Sequence, residues 1–432
     1  MDEQSLLALE DAVLETLASK LIAIGDPEDT EKELRQIIKS ISPSIDEDEI
    51  KYLVNEISRF YPVDKYLSDE DIEDIMINNT ENIFLYTSSR GEIKADDKIE
   101  SKKELNTFVK KLKMYATTDI AASNIFDVHL PNGSRANVVQ SPLGADITIR
   151  NYRKHAMSII ELINREELSY NLAGRLWLYS EGLGTRPANL LIGGLPAAGK
   201  TTLLNAMFSF FRPEERIVVI EDTYELNTET QDNCVRLETG PDLTIRDLVQ
   251  NSLRMRPDRI VIGEVRGEEA KDMMTSMNIG RISMSTIHAS SARDIVTRLQ
   301  HTPMNIEKDV IPLIDAMVVI TQSREEGKVR RRVSQVSEVA GIETQVLLSD
   351  LYSFNYKTLS SSEIFPSVTY RDLLSRLTGL PPSEIVMEEQ RRGRILEKLN
   401  SLGLRDLKSI NEFCKDYYDD AEAAVKRIGL QY

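Results

Sequence analysis

One stretch constrains this chain more than any other. Asn189-Leu190-Leu191-Ile192-Gly193-Gly194-Leu195-Pro196-Ala197-Ala198-Gly199-Lys200-Thr201-Thr202 runs an apolar strand directly into a glycine loop and the start of a helix. Gly194 to Thr201 fits the pattern Gly, four residues, Gly-Lys-Thr, in which backbone N–H groups cradle phosphates at the positive end of the following helix. Gly194 and Gly199 allow dihedrals that a Cβ would forbid. Lys200 brings a point charge to the β- and γ-phosphates, and the Thr201 hydroxyl is placed to ligate Mg²⁺, which takes oxygen donors. A glycine turn between a buried strand and a helix is the plain structural alternative. The apolar run before the loop and the helical Leu203-Leu204-Asn205-Ala206-Met207 after it favour a nucleotide. The candidate nucleotide-binding residues are therefore Gly194, Leu195, Pro196, Ala197, Ala198, Gly199, Lys200, Thr201 and Thr202.

Charge and cysteine content narrow the classes around this loop. The balance of 53 Lys and Arg against 70 Asp and Glu gives a net charge of −17, which disfavours non-specific attraction to nucleic acid or anionic lipid and leaves local basic patches open. The two cysteines, Cys234 and Cys414, lie far apart without metal-like spacing, so neither a disulfide framework nor a zinc site is expected, and a reducing cytoplasm fits. The acidic start Met1-Asp2-Glu3-Gln4 lacks a signal-peptide pattern, and no apolar run approaches the ~18 residues that span a bilayer. Membrane association is expected only through partners or peripheral contact.

Along the chain, 432 residues suggest two or three domains. Leu6, Leu7, Leu9, Val13, Leu14, Leu17 and Leu21 recur at helical spacing, then Gly25-Asp26-Pro27-Glu28-Asp29 breaks the pattern before a second helix through Ile37 and Ile38. Residues 1–60 read as a helical preface. An α+β domain is expected over 61–160, with a strand at Ile83-Phe84-Leu85-Tyr86, a helix from Lys102 to Met114 and a hairpin at Pro131-Asn132-Gly133. His129, alone in an alternating strand, reads as structural. Tyr152 to Ser180 reads as mostly helical.

Within 161–356, Arg216-Ile217-Val218-Val219-Ile220 and Arg259-Ile260-Val261-Ile262 are β-branched runs of the kind buried parallel strands show, and they deliver Glu221-Asp222 and Glu264 at their C-terminal ends. Open α/β sheets bind ligands outside those ends. Capping boxes are expected at Thr244/Asp247 and Ser291/Asp294, and Pro257 stops the first of these helices after Met255-Arg256. Ile282 to His288 alternates as a strand ending on a histidine. Lys328-Val329-Arg330-Arg331-Arg332, after the turn at Gly327, reads as an exposed strand face rather than a phosphate or lipid contact. Residues 357–432 read as a helical extension with helices at Ile385–Leu399, Asp406–Tyr417 and Ala421–Ile428. The fold class is α/β: a mostly parallel sheet with helices on both faces, preceded by the α+β domain.

The ordered set Gly194 to Thr202, Ile220-Glu221-Asp222-Thr223-Tyr224-Glu225-Leu226, Ser252-Leu253-Arg254-Met255-Arg256-Pro257-Asp258-Arg259, Gly263-Glu264-Val265-Arg266-Gly267-Glu268 and Thr286-Ile287-His288-Ala289 resembles the type II/type IV secretion ATPases. The closest texture is that of tight-adherence pilus ATPases and their archaeal relatives, and the resemblance runs from Tyr61 to Leu351. It implies a RecA-like P-loop domain, with Lys200 and Thr201 as Walker A residues, Glu221 as the catalytic acid of the aspartate box, Glu264 as the Walker B glutamate and His288 as the histidine box. By their place at strand ends, Glu221 and Glu264 are candidates for orienting or deprotonating water and for holding the hydration shell of the metal that Thr201 ligates; the resemblance also implies that Arg135, Arg150 and, more weakly, Arg236 supply guanidinium groups to the nucleotide. Three departures stand out. Pro196-Ala197-Ala198 replaces the commoner Thr-Gly-Ser; Arg281-Ile282-Ser283 follows Gly280 where relatives often carry His-Asp-Gly; and the helices after Tyr356 are not explained by the resemblance.

The expected function is an ATP- and Mg²⁺-dependent homohexameric motor at the cytoplasmic face of a membrane, driving pilus-like filament assembly or secretion with a polytopic inner-membrane platform protein. A nucleic-acid translocating hexamer is the alternative. The net charge and the lack of an aromatic-basic surface weigh against it. A nucleotide-binding scaffold without turnover is a third reading, opposed by the presence of Glu221, Glu264 and His288.

Overall fold

The computed structural model describes residues 3–20, 27–116, 123–152, 156–240, 242–325, 327–355, 358, 360–363 and 366–431. The chain divides into two compact units, Met1–Lys154 with Glu325–Val329, and His155–Arg324 with Arg330–Tyr432.

The first unit opens with helices α1 (Glu3–Lys20), α2 (Pro27–Ile41) and α3 (Glu47–Ser58). Leu9, Val13, Leu14 and Leu17 of α1 meet Leu34, Ile37 and Ile38 of α2 in a small core of their own, as the helical spacing predicts. Leu21 and the Gly25-Asp26 break lie outside the described residues, as does the side chain of Leu7. After α4 (Asp64–Leu67) come β1 (Ile72–Asn78), β2 (Ile83–Thr87), β3 (Gly91–Lys94), α5 (Lys102–Lys113), β4 (Ile125–His129), β5 (Arg135–Ser141) and β6 (Gly144–Arg150). The described residues form a six-stranded sheet in the order β3-β2-β1-β6-β5-β4, its neighbours paired antiparallel. Leu105, Phe108, Val109 and Leu112 of α5 pack into the core of this sheet. The hairpin predicted at Pro131-Asn132-Gly133 pairs His129 with Arg135, and Gly133 takes φ 88°. His129 is exposed on the strand's polar face.

The second unit runs α6 (Ile159–Asn164), α7 (Tyr170–Glu181), β7 (Leu190–Gly194), α8 (Lys200–Met207), β8 (Ile217–Glu221), β9 (Cys234–Glu238), α9 (Ile245–Ser252), β10 (Arg259–Glu264), α10 (Glu269–Asn278), β11 (Ile282–Ile287) and α11 (Ala292–Gln300). Then follow β12 (Ala316–Glu325), β13 (Lys328–Ile342), β14 (Val346–Asn355), β15 (Ser360–Glu363), α12 (Thr369–Thr378), α13 (Pro382–Ser401), α14 (Leu407–Asp419) and α15 (Ala421–Arg427). Among the described residues the sheet has nine strands, ordered β15-β14-β13-β12-β7-β11-β10-β8-β9. From β12 to β9 the neighbours are parallel, which sets the loop strand β7 between β12 and β11.

The continuous apolar runs are explained by burial on both faces. Leu190 and Ile192 of β7, Ile217 and Val219 of β8, and Val261 of β10 face one core; Leu191, Val218, Ile220, Ile260 and Ile262 face the other. The C-terminal helices continue the first of these cores. Ile395, Leu399, Phe413 and Tyr417 pack in the cluster that holds Trp177 and Phe210. Trp177 stacks on Phe210 at 5.2 Å and donates through Nε1 to Tyr418 Oη at 2.7 Å. Beneath this layer lies Glu181, which accepts from Arg212 and Arg392, each at 2.8 Å. Burial pushes the Glu181 carboxyl up, but the two guanidinium groups outweigh it and hold the group below the ordinary carboxylate range.

Three local expectations change. Helix α9 ends at Ser252, short of Met255-Arg256, because the residue before Pro257 is barred from helical backbone and Arg256 turns to φ 56°. At α11, Ser291 caps the Asp294 N–H, but the Asp294 carboxylate accepts from Ser290 instead of completing the box. The basic run of β13 is only partly an exposed face: Lys328 is exposed and Arg330 and Arg331 are half-buried, but Arg332 is buried with its guanidinium over the Phe354 ring at 4.9 Å, and Arg331 donates to the Ala197 carbonyl. Among the described residues no helix is long and apolar enough to cross a membrane.

Candidate nucleotide site

The loop between β7 and α8 carries the geometry that phosphates need. Gly199 caps α8 with φ 97°, and Ala197 holds φ 60°. A side-chain carbon on Gly194 would lie 2.9 Å from the Ile320 carbonyl and 3.0 Å from Lys200 Cγ, so only glycine lets the backbone turn there. Leu195 projects outward, 55% exposed, while Ala198 is buried beneath the loop. Thr201 and Thr202 occupy the first turn of α8, where free backbone N–H groups and the helix dipole favour an anion.

The predicted Lys200, Glu264 and His288 come together from three elements. Lys200 is 7% exposed, and its Nζ lies 3.4 Å from the Leu195 carbonyl, 3.2 Å from His288 Nδ1 and 3.8 Å from Glu264 Oε1. His288 Nε2 lies 2.9 Å from the same Glu264 oxygen. An ammonium can only donate, so His288 Nδ1 accepts from Lys200 and Nε2–H donates to Glu264. The lysine thus sits in a relay with His288 and Glu264.

Glu221 ends β8, in the same sheet register as the end of β10. Ile220 pairs with Ile262, and a Cβ on Gly263 would come within 3.2 Å of Glu221 Cγ, so the glycine makes room for the carboxylate. A bulge between Ile262 and Glu264 then redirects β10, with the Gly263 carbonyl accepting from Thr286 Oγ1. Glu221 is 2% exposed; Oε1 accepts from the N–H groups of Glu225 and Leu226, both at 2.9 Å, and Oε2 has no hydrogen-bond partner among the described residues. Burial pushes its carboxyl up to about 7, against the pull of the two N–H groups and of Arg236.

Arg236, on β9, places Nη2 3.7 Å from Glu221 Oε2 and lays its guanidinium over the Tyr224 ring at 4.1 Å. Arg135 and Arg150 belong to the first unit, where they are cross-strand partners on β5 and β6. Each meets an acid there, Asp127 at 3.3 Å and Asp74 at 3.4 Å.

The residues present fit a Mg–nucleotide. The loop has a bare backbone where phosphates would lie, and Thr201 and Glu264 offer the oxygen donors Mg²⁺ takes. No group of three or more His, Cys, Asp or Glu side chains gathers as a metal cage among the described residues. Sequence reasoning missed Arg331, which grips the loop, and Tyr224, which stacks on Arg236. The basic run of β13 and the aromatic inside the Glu221 segment were the available signals.

The sequence profile of the family described as Type II/IV secretion system protein matches residues 57–357. An uncharacterized protein of Methanocaldococcus jannaschii is 35% identical over 243 residues, 53% of this chain and 33% of the relative. A second uncharacterized protein of that organism is 28% identical over 368 residues, 81% of this chain and 66% of the relative. The chain therefore spans between a third and just under two thirds of these two relatives' lengths. The type IV secretion system protein PtlH of Bordetella pertussis is 33% identical over 165 residues, 34% of this chain and 49% of PtlH. Among solved structures, the ATPase DotB of Legionella pneumophila superposes with a TM-score of 0.51 at 19% identity, over 79% of this chain and 88% of DotB, a likeness of fold. With a RecA-like sheet, an α+β unit before it and a family match covering most of its length, this chain belongs to the type II/IV secretion system protein family.

Proposed function

We propose that this chain hydrolyses ATP with Mg²⁺ and works as a homohexameric motor at the cytoplasmic face of a membrane, powering pilus-like filament assembly or protein secretion through a polytopic platform protein. The observation that carries the reading is the convergence of Lys200, His288 and Glu264 beside the loop, with the buried Glu221 on the adjacent strand. Family membership and the printed name of PtlH support the secretion role.

In this reading the loop N–H groups and Lys200 hold the phosphates, and Thr201 and Glu264 would hold the metal, which when bound would supply charge neutralisation at the phosphates. A carboxyl titrating near 7 is matched to taking a proton from water at neutral pH, a role typically worth 10²–10⁴-fold in rate. Arg236, beside Glu221, and Arg135 and Arg150, from the first unit, are proposed as guanidinium groups that neutralise the transferred phosphoryl.

Steady-state phosphate release tests this. Wild-type protein is expected to turn over ATP with Mg²⁺ and to stop with EDTA, and Lys200→Ala and Glu264→Gln to fall to background. Full activity in either variant would remove the site assignment. Stimulation by single-stranded DNA would favour the nucleic-acid translocase instead.

A further inference from the structure

Arg331 belongs to no nucleotide motif, yet it touches the phosphate loop. Its Nε–H donates to the Ala197 carbonyl at 2.8 Å, and its Cδ lies 3.4 Å from where a Cβ on Gly199 would sit, so the side chain runs along the loop from Gly199 to Ala197. Ala197 holds φ 60° although it carries a Cβ, a backbone state that L residues keep only when their surroundings impose it. Its neighbours on β13 are engaged elsewhere: Arg330 pairs with Glu166 at 3.8 Å, and Arg332 is buried over Phe354. Of the three arginines, Arg331 is the one aimed at the loop.

We infer that Arg331 is a positioning residue that holds Ala197 in its left-handed conformation through the Nε–H bond, and so fixes the phosphate loop in its binding shape. The donor matters here, not the charge. The inference rests on the reading that this loop binds Mg–ATP, and the two can fail separately.

Glutamine separates donor from charge, because its Nε2 falls at the same point along the side chain as the arginine Nε and is neutral. Glycine at position 197 removes the need for restraint, since it reaches positive φ without cost. KM and kcat for Mg–ATP are measured for wild type, Arg331→Ala, Arg331→Gln and the double variant Arg331→Ala/Ala197→Gly, with melting temperature as a fold control. Loss of one such bond predicts KM raised about three- to tenfold in Arg331→Ala, with kcat and melting temperature close to wild type. Arg331→Gln is expected within about twofold of wild type, and Ala197→Gly is expected to bring Arg331→Ala back to a similar level.

Arg331→Gln as impaired as Arg331→Ala would mean that the charge acts on the nucleotide and would overturn the inference. An unaltered KM in Arg331→Ala, or no rescue by Ala197→Gly, would overturn it too. Wild-type protein that binds no Mg–ATP would instead bring down the reading of the loop itself, and this inference with it.

Discussion

At the residue scale, the proposed reaction turns on the buried Glu221. A carboxyl raised from 4.5 to about 7 binds more protons folded than unfolded between those values, so its ionisation lowers stability as pH rises through that window. Glu221→Gln keeps an acceptor for the Glu225 and Leu226 N–H groups and removes that cost. Thermal denaturation should therefore show the variant gaining on wild type between pH 5 and pH 8. The wild-type rate of ATP hydrolysis should rise through pH about 7 and the variant should lack that limb. Lys200, Glu221 and Glu264 were legible in the sequence because each ends an apolar strand or follows a glycine pattern, whereas His288 was singled out only by the family resemblance. Arg331 was not legible: the basic run of β13 marked it as a charge, but nothing local tells that the fold brings the phosphate loop to it.

At the element scale, the strands of the parallel sheet were readable from continuous β-branched runs, whereas α12 was not. Its cap comes from afar. The buried Glu338 of β13 accepts from the N–H groups of Val368, Thr369 and Tyr370 and from the hydroxyls of Tyr179 and Ser367. Val368 itself makes no side-chain cap; the local signals are Ser367, whose Oγ accepts from the Arg371 N–H, and Gly379, which ends the helix at φ 76°. Glu338→Ala strands several buried donors and is expected to cost about 3 kcal/mol or more in urea denaturation.

The crossing of α7 and α13 was equally hidden. A Cβ on Gly174 would strike the Glu389 carbonyl and come within 2.7 Å of the Gly393 N, while one on Gly393 would lie 2.9 Å from the Tyr170 carbonyl. Both are backbone atoms on packed helices and cannot swing aside. Gly174→Ala is therefore expected to destabilise by about 3 kcal/mol, measured the same way. A loss below about 0.5 kcal/mol would mean that the helices part easily.

At the scale of the whole molecule, the C-terminal helices share a core with the nucleotide sheet. Trp177, the chain's one tryptophan, reports on them directly, because it sits among Phe210, Tyr417 and Tyr418. Deleting residues 367–432 should shift its fluorescence to the red and leave an insoluble or unfolded chain. A soluble, cooperative fragment would show instead that these helices are dispensable to the core. The sequence located most of these helices. It did not show what they cover, since the buried stripe of α13 and the aromatic end of α7 are more than two hundred residues apart.

The central claim is that the loop binds ATP and that Glu221 helps water attack it, and single-turnover hydrolysis of Mg–ATP by Glu221→Gln tests it most directly. The variant should bind Mg–ATP as wild type does and hydrolyse it about 10²–10⁴ times more slowly. Hydrolysis at the wild-type rate would contradict the claim, because a buried carboxylate that can be neutralised without cost is not the base.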